Sequence, residues 1–460
     1  MTHARPFDQT RKLLNLAIPI GVIEVVGHFL VLTDLIVVGR LGALEFAAVG
    51  LAITFFWVFV VVGISVISVV GVLVAEKCAG SVQENEVGRY GAQGFWVCIM
   101  MIVLIAPVIG FMSNLLALTG LQRELLPIIE AYTHAIVWAL PPALLFAWLR
   151  SLLIGLEVSA PITGIALMAV PANLALSIIF VFGFGPLPRH GVAGAGYATA
   201  LVNLAMFVAL AVYVYRWMPG IHAALMANIL KMERRILVHI LRVGGGQGVI
   251  ALLENGMFAV VAILVGSLSV EALAAHNMVY AVLELGILVV LGFGEGTMIR
   301  VAKNIGLKNY SIAYRVCGIA LAFSFVIAAF ISSGLIFSPD LVSAIFLSED
   351  GNVNADDVDI VLGTFVVAAS LSLFFDAAQT VLYHAVRATR DEYIPVLIAF
   401  FGYWIVGLGC GYLFGFTLDL GIAGIWIGLA IGLCAITVLM GLRLRYRFRY
   451  LQNNASGPLY

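Results

Sequence analysis

Long apolar stretches recur along the whole chain, and they constrain its fold more than any other feature. Most of them run for about 20 residues, the length of an α-helix that crosses the hydrocarbon core of a bilayer. Lipid offers the backbone no hydrogen bonds, so such stretches form helices or a closed barrel, and barrel strands would alternate apolar with polar residues. The chain is 63% apolar and 11% charged. We count twelve stretches and predict an all-α integral membrane protein with twelve transmembrane helices.

The basic residues predict how these helices are oriented. The chain contains 24 lysines and arginines. If both termini are cytoplasmic, only Arg40, Arg123 and Arg189 fall on the other side of the membrane. Cytoplasmic loops carry an excess of Lys and Arg, so this distribution supports both the helix count and the orientation. The acidic loop near 339–360 is then external.

Three short motifs recur in the same order at an offset of about 230 residues. They pair VGRLGALEFAA at 38–48 with VGSLSVEALAA at 265–275, VAEKCAG at 74–80 with VAKNIG at 301–306, and GVAGAG at 191–196 with GIAGIW at 421–426. Small residues are common where membrane helices pack, so each match alone is weak. Together they predict an internal duplication of six helices.

The duplication predicts two six-helix lobes related by pseudo-twofold symmetry about the membrane normal. The N-lobe covers 1–215 with helices one to six, and the C-lobe covers 239–460 with helices seven to twelve. A cytoplasmic linker at 216–238 joins them. Transporters built from such repeats bind substrate between their lobes. The alternative is two bundles that pack together for stability only.

Glu254 and Asp376 are carboxylates deep inside predicted helices seven and ten. An ionised carboxylate at a helix centre costs about 2.5–3.5 kcal/mol on insertion scales, and no Lys or Arg lies near either residue in the sequence. Deep acids without a fixed cation imply a movable one, either a metal ion such as Na⁺ or a proton. The alternative is a pair of permanently protonated acids that hydrogen-bond between helices.

Asp34 is a third acid inside an apolar helical stretch, close to the outer end of helix one. Thr33 and Asn173 are candidate hydrogen-bond partners. A carboxylate beside amide and hydroxyl groups can titrate or hold a cation. The alternative is a side chain that extends to the outer surface.

Four further polar residues are candidate cavity-lining groups. Glu284 and Glu295 are eleven residues apart on predicted helix eight and share almost the same face. Glu24 and His28 lie one turn apart on helix one, and we favour mutual pairing of these two over a role in transport. The eight histidines form no cluster with the spacing of metal ligands.

Two longer stretches resemble a known family. AIPIGVIEVVGHFLVLTDLIVVGRLGALEFAAVGLA, at 17–52, resembles the first helix and following loop of the MATE family, the multidrug and toxic compound extrusion transporters. VGGGQGVIALLENGMFAVVAILVGSLSVEALAAHNM, at 243–278, resembles that family's seventh helix and the start of its eighth. The resemblance covers nearly the whole chain, including its twelve spans and two lobes.

The resemblance implies roles for the C-lobe acids. The glutamate of helix seven and the aspartate of helix ten mark the NorM-like branch, where they form a coupling-cation site. They correspond to Glu254 and Asp376, which the resemblance therefore implies as ligands of Na⁺ or H⁺. A tyrosine often lies one turn before the aspartate in this branch, and Ser372 stands there in this chain.

The resemblance also implies an N-lobe site. The acid of helix one corresponds to Asp34, and the asparagine of helix five corresponds to Asn173. One turn after the asparagine the DinF-like branch carries an acid, whereas this chain has Ser177. This difference argues against a purely N-lobe proton mechanism of the DinF type.

The expected function is secondary active multidrug efflux, in which organic, often cationic, compounds leave in exchange for Na⁺ or H⁺ by alternating access. We expect a monomer in the inner (cytoplasmic) membrane of a bacterium, surrounded by lipid, with no nucleic-acid partner, no cofactor and a contribution to antibiotic resistance. The chain has no G-x-x-x-x-G-K-[ST] loop for ATP. The alternatives are a lipid-linked oligosaccharide flippase of the same broad fold group, which would need basic groups in its cavity, and a membrane-embedded enzyme, which would need a catalytic cluster that we do not find.

Overall fold

The protein is described from a computed structural model that covers residues 6–78, 81–117, 125–185, 188–338, 355–391 and 393–453. Most of the predicted acidic loop at 339–360 lies outside these residues, as does Arg123. The described residues contain twelve spanning segments long and apolar enough to cross a membrane: α1 (Gln9–Gly39), α2 (Ala48–Lys77), α3 (Glu84–Gly110), α4 (Leu126–Gly155), α5 (Ala160–Phe182), α6 (Val192–Trp217), α7 (Arg234–Gly266), α8 (Ala275–Gly306), α9 (Tyr310–Phe337), α10 (Ile360–Arg387), α11 (Ile394–Thr417) and α12 (Gly421–Asn453). The predicted all-α architecture with twelve spans is confirmed.

Three spanning segments depart from regular α-helix. In α2 a turn at Ser68 separates two α-helical parts that end at Ile67 and begin at Val69. In α4 a 3₁₀ turn at Val137–Ala139 precedes Pro141 and Pro142. Proline has no N–H to donate to the preceding turn, which explains the break. In α11 the α-helical turns alternate with two π-helical stretches, Phe401–Gly407 and Leu413–Thr417. A π turn widens the helix and is often found at functional sites.

The chain divides into two compact units whose boundaries lie inside helices. One unit is Val22–Gly248, and the other combines Met1–Gly21 with Val249–Tyr460. The first turns of α1 therefore belong with the second half of the chain, and the first turns of α7 belong with the first half. The predicted lobes at 1–215 and 239–460, joined by the linker at 216–238, stay a prediction.

Glycines let the first turns of α1 and of α7 pack closely within the units to which they belong. A Cβ on Gly292 of α8 would collide with the backbone of Ala17 and Gly21 in the first turns of α1. A Cβ on Gly244 of α7 would lie 2.7 Å from the Cα of Val66 in α2. Because small residues allow helix backbones to approach each other, these two contacts hold the first turns of α1 and α7 in place.

The segment that follows α6 is ordered and fastened to α3. It forms a short helix at Pro219–Asn228. The side-chain amide of Gln93 donates to the carbonyl of Lys231 at 2.7 Å and accepts from the backbone N–H of Glu233 at 2.9 Å. These two bonds, made by one buried side chain, fix the path of the chain immediately before α7 begins.

An ion pair reinforces this attachment. The Arg89 guanidinium donates from Nε and Nη2 to the two carboxylate oxygens of Glu233, at 2.8 and 2.6 Å. These bonds to Arg89 lower the pKa of Glu233 below its ordinary value of 4.5. Both side chains are about one-third exposed, so solvent weakens the interaction.

We expect Glu233→Gln to lower the free energy of unfolding by about 0.5–1 kcal/mol at pH 7. A carboxylate whose pKa is lower in the folded state stabilises the fold above its unfolded pKa, and this contribution is lost as the pH falls through the folded pKa. The difference between variant and parent should therefore shrink at pH 3.5. Thermal unfolding in detergent measures it, with Asp419→Asn as an exposed carboxylate control. An equal loss at both pH values would contradict the assignment.

Candidate ion-binding sites

The first candidate site is the Asp34 cluster, formed by Asp34, Asn173, Ser177 and Thr199 from α1, α5 and α6. Asn173 Nδ2 and Ser177 Oγ donate to Asp34 Oδ1 at 2.8 and 3.0 Å, and the Thr199 hydroxyl donates to Oδ2. Asp34 is only 2% exposed. Three neutral donors therefore satisfy both oxygens of a buried carboxylate.

Thr33 contacts Asn173, which in turn contacts the Asp34 carboxylate. Its hydroxyl accepts a hydrogen bond from Asn173 Nδ2 at 2.8 Å and donates to the carbonyl of Leu30 at 2.7 Å. Of the residues that the sequence places near Asp34, Asn173 and Ser177 contact the carboxylate and Thr33 contacts the asparagine. Sequence reasoning missed Thr199, because a lone hydroxyl in a membrane helix usually bonds to its own backbone.

The second candidate site is the Glu254 cluster, formed by Glu254, Asp376, Gln379 and Tyr403 from α7, α10 and α11. Gln379 Nε2 donates to Asp376 Oδ1 at 2.9 Å and lies 3.5 Å from Glu254 Oε1. Asp376 and Gln379 are buried, and Glu254 is half-buried. One amide group thus links two acids that are 122 residues apart in the sequence.

Tyr403 brings a phenol to these acids. Its side chain is 2% exposed and interacts electrostatically with Glu254 and Asp376. Its hydroxyl lies within reach of the Glu254 carboxylate and the Gln379 amide but forms no hydrogen bond of regular geometry with the described residues. Trp404 in the same π turn donates from Nε1 to the carbonyl of Leu253 at 3.0 Å, which ties α11 to α7 one residue before Glu254.

Sequence reasoning missed both Gln379 and Tyr403. Gln379 follows Asp376 by three residues, so helical spacing alone would have placed the two side chains on one face. Tyr403 gave no such signal, because its proximity to the acids depends on how α11 packs. The Ser372 hydroxyl donates to the carbonyl of Ala369 in its own helix at 2.7 Å.

Neither cluster contains a fixed cation. Among the described residues, no lysine, arginine or histidine forms an ion pair with Asp34, Glu254 or Asp376. The same part of the chain contains no group of three or more His, Cys, Asp or Glu residues that could hold a metal ion. Any cation bound here would therefore take its remaining ligands from neutral oxygens of amides and hydroxyls.

The structure corrects one interpretation of the sequence. Glu24 does not pair with His28 one turn away; it forms an ion pair with Arg150 of α4. A guanidinium carries a permanent charge and several donors in a planar array, which makes it a strong partner for a carboxylate. The assignment of Glu24 and His28 to a cavity stays a prediction.

Glu284 and Glu295 both lie on α8 and are half-buried. Glu284 interacts electrostatically with Tyr280, which also interacts with Glu254 and Asp376. This relation places Glu284 in the neighbourhood of the Glu254 cluster. The assignment of Glu284 and Glu295 to a cavity wall likewise stays a prediction.

Solved structures share this arrangement of helices. The eukaryotic MATE transporter AtDTX14 superposes with a TM-score of 0.84 at 18% identity, covering 98% of this chain and 99% of that one. The Vibrio cholerae MATE transporter VcmN in its bent form gives 0.81 at 18% identity, covering 97% and 99%. The protein is therefore a multi-pass membrane protein with the fold of MATE transporters.

The MatE family model matches residues 19–179 and 248–413, which together make up more than half of the chain. The chain belongs to the MatE family. The two matched stretches begin 229 residues apart, in line with the offset of the repeated motifs. This agreement supports the predicted internal duplication.

Relatives match over nearly their full length. The probable multidrug resistance protein NorM of Synechocystis is 28% identical over 432 residues, which cover 94% of this chain and 93% of the relative. The protein of that name from Brucella suis is 30% identical over 415 residues, covering 90% and 88%. The one from Pseudomonas putida is 28% identical over 455 residues, covering 99% and 98%.

We expect Thr199→Val to lower the free energy of unfolding by about 1–3 kcal/mol, because it removes one donor from a buried carboxylate without changing the side-chain shape. Thermal unfolding in detergent measures the loss. Thr54→Val is the matched control, since the Thr54 hydroxyl is exposed and bonds only to Gly50 in its own helix.

A double-mutant cycle identifies the carboxylate as the reason for the loss. In an Asp34→Asn background the effect of Thr199→Val should shrink, because the charge that needs the donor is gone. The same loss in both backgrounds would show that Thr199 does not act through Asp34.

Proposed function

We propose that this protein is a secondary active multidrug efflux transporter that exports organic, often cationic, compounds in exchange for Na⁺ or H⁺. One observation carries the proposal: two buried carboxylate clusters are held by neutral hydrogen-bond donors without an ion pair to a described basic residue. Membership of the MatE family and the names of the NorM relatives support the choice of substrates.

In this proposal the coupling ion binds at the Glu254 cluster. Glu254 and Asp376 are the charged ligands, and Gln379 keeps the two acids close by contacting both. Binding of Na⁺ or H⁺ reduces the negative charge that burial disfavours. The conformation that holds the ion is then stabilised relative to the conformation that releases it.

Export against a gradient follows from linkage. The ion and the drug each bind one conformation of the transporter better than the other, so each shifts the same equilibrium. If the ion favours the conformation that releases drug outside, inward movement of the ion drives outward movement of drug, and the coupling is reciprocal in binding free energy. No ATP is needed for this cycle.

The Asp34 cluster is proposed as a separate coupling site. Its hydroxyls now donate to the carboxylate, but each hydroxyl oxygen also has lone pairs that can face a cation. Asn173 offers its Oδ1 in the same way, and this atom lies 3.4 Å from the Thr199 hydroxyl. A small cation at Asp34 would therefore find oxygen ligands with little rearrangement.

The remaining parts of the proposal concern organisation and location. We propose lobes at 1–215 and 239–460 with a cytoplasmic linker at 216–238, and a monomer in the bacterial inner membrane with both termini in the cytoplasm. Both clusters are acidic, which suits a cationic ligand better than the pyrophosphate of a lipid-linked oligosaccharide. The family is one of transporters, and we propose no enzymatic activity.

We expect Glu254→Gln and Asp376→Asn each to reduce gradient-driven transport by roughly tenfold or more. A loss of about 1.4 kcal/mol in ion binding already corresponds to that factor. Resistance of a drug-sensitive bacterial host, compared at equal expression, is the measurement, and Asp419→Asn is the control. Parental resistance in both variants would remove these acids from the mechanism.

We expect dye transport in proteoliposomes to require an imposed cation gradient. Purified protein is reconstituted, an ethidium-like dye is supplied, and a Na⁺ gradient or a proton gradient is imposed separately. One of them should accelerate dye movement several-fold over the condition without a gradient, because the ion supplies the driving force. Dye transport without any gradient that is as fast as transport with the Na⁺ or the proton gradient would contradict antiport.

A further inference from the structure

The hydroxyl of Tyr403 is a buried polar group that lies within reach of the Glu254 carboxylate and the Gln379 amide but forms no hydrogen bond of regular geometry with the described residues. Buried hydroxyls in folded proteins nearly always form a well-aligned hydrogen bond, so a poorly aligned one calls for an explanation. The side chain is 2% exposed and interacts electrostatically with Glu254 and Asp376. The hydroxyl thus lies at the acids without a well-aligned partner.

The local backbone explains how the phenol reaches this position. Tyr403 lies within the π-helical stretch Phe401–Gly407, where the extra residue per turn alters the direction of the side chains. Trp404 anchors the stretch to α7 through the carbonyl of Leu253. Leu253 directly precedes Glu254 on α7, so this bond holds the π-helical stretch with Tyr403 beside the acid.

We propose that the Tyr403 hydroxyl is a ligand of the coupling ion in the Glu254 cluster. This inference rests on the proposed function and adds a third helix, α11, to a site whose acids come from α7 and α10. In the ion-bound protein the hydroxyl contacts the cation or the protonated carboxyl.

The chemistry of a phenol suits both candidate ions. Its oxygen has lone pairs that coordinate Na⁺, and the same lone pairs accept a hydrogen bond from a protonated Glu254 or Asp376. The group is neutral, so it adds an oxygen ligand without increasing the repulsion between the two carboxylates. Ser372 does not supply this ligand, since its hydroxyl bonds to Ala369.

Tyr403→Phe tests the proposal, because it removes one oxygen and keeps the buried ring. Tyr412→Phe on the same segment is the matched control, since Tyr412 is 57% exposed and stacks on Phe416. Both variants are reconstituted in proteoliposomes beside the parent. Dye transport is measured as a function of the concentration of the driving cation, Na⁺ or H⁺.

We expect Tyr403→Phe to need about tenfold more of the driving cation for half-maximal transport, the effect of losing one hydrogen bond or ligand to a charged group. For a proton-driven cycle this is a downward shift of about one pH unit. Tyr412→Phe should match the parent. The binding of dye in the absence of the driving cation should stay unchanged, because the phenol acts on the ion.

A second measurement separates a ligand from a packing residue. A bound ion raises the thermal stability of the protein by an amount that grows with the ratio of the ion concentration to its Kd. In Tyr403→Phe the increment in Tm caused by the driving cation should shrink at a fixed cation concentration. A variant that lost only packing would unfold at a lower temperature but keep the parental increment, and that result would overturn the proposal.

The outcomes distinguish this inference from the function on which it rests. If Tyr403→Phe keeps the parental cation requirement while Glu254→Gln abolishes gradient-driven transport, the tyrosine is not a ligand and the proposed function stands. If Glu254→Gln also leaves transport unchanged, the ion site is wrongly located and both proposals fail.

Discussion

Carboxylates buried among apolar helices, held by neutral donors, are the constraint on which the rest of this structure depends. Each acid would be costly in hydrocarbon if left alone. The fold meets this cost with hydroxyls and amides, as at Asp34, where three neutral side chains serve one carboxylate. A lysine or arginine in the same place would be a fixed partner, and the site would then have little affinity for an exchangeable cation.

The ion pair between Glu24 and Arg150 shows the contrast within the same unit. There a permanent cation neutralises the acid, and the pair joins α1 to α4. Breaking such a pair would leave an uncompensated charge away from water, so it acts as a structural connection. Acids of both kinds lie on α1, and their partners distinguish a structural role from a candidate ion site.

The two clusters are built alike but differ in how fully their polar groups are hydrogen-bonded. Each lies within one compact unit and draws its groups from three helices. In the Asp34 cluster both carboxylate oxygens are satisfied, whereas in the Glu254 cluster one amide serves two acids and the Tyr403 phenol forms no hydrogen bond of regular geometry. Unmet hydrogen-bonding capacity in a buried site can accept a ligand, which supports our proposal that the coupling ion binds at the Glu254 cluster.

The sequence by itself determined the twelve spans and the internal duplication, because the length and spacing of apolar stretches follow directly from the bilayer and from the repeat. It also singled out Glu254, Asp376 and Asp34 as candidate site residues, since an acidic residue inside an apolar helical stretch can be recognised without coordinates. Only the tertiary structure decided that Thr199 and Tyr403 lie at these acids, that Thr33 stands one step away, and that Glu24 binds Arg150. Those facts depend on which faces of distant helices meet, and the helical period within one segment carries no information about the rotation of its neighbour.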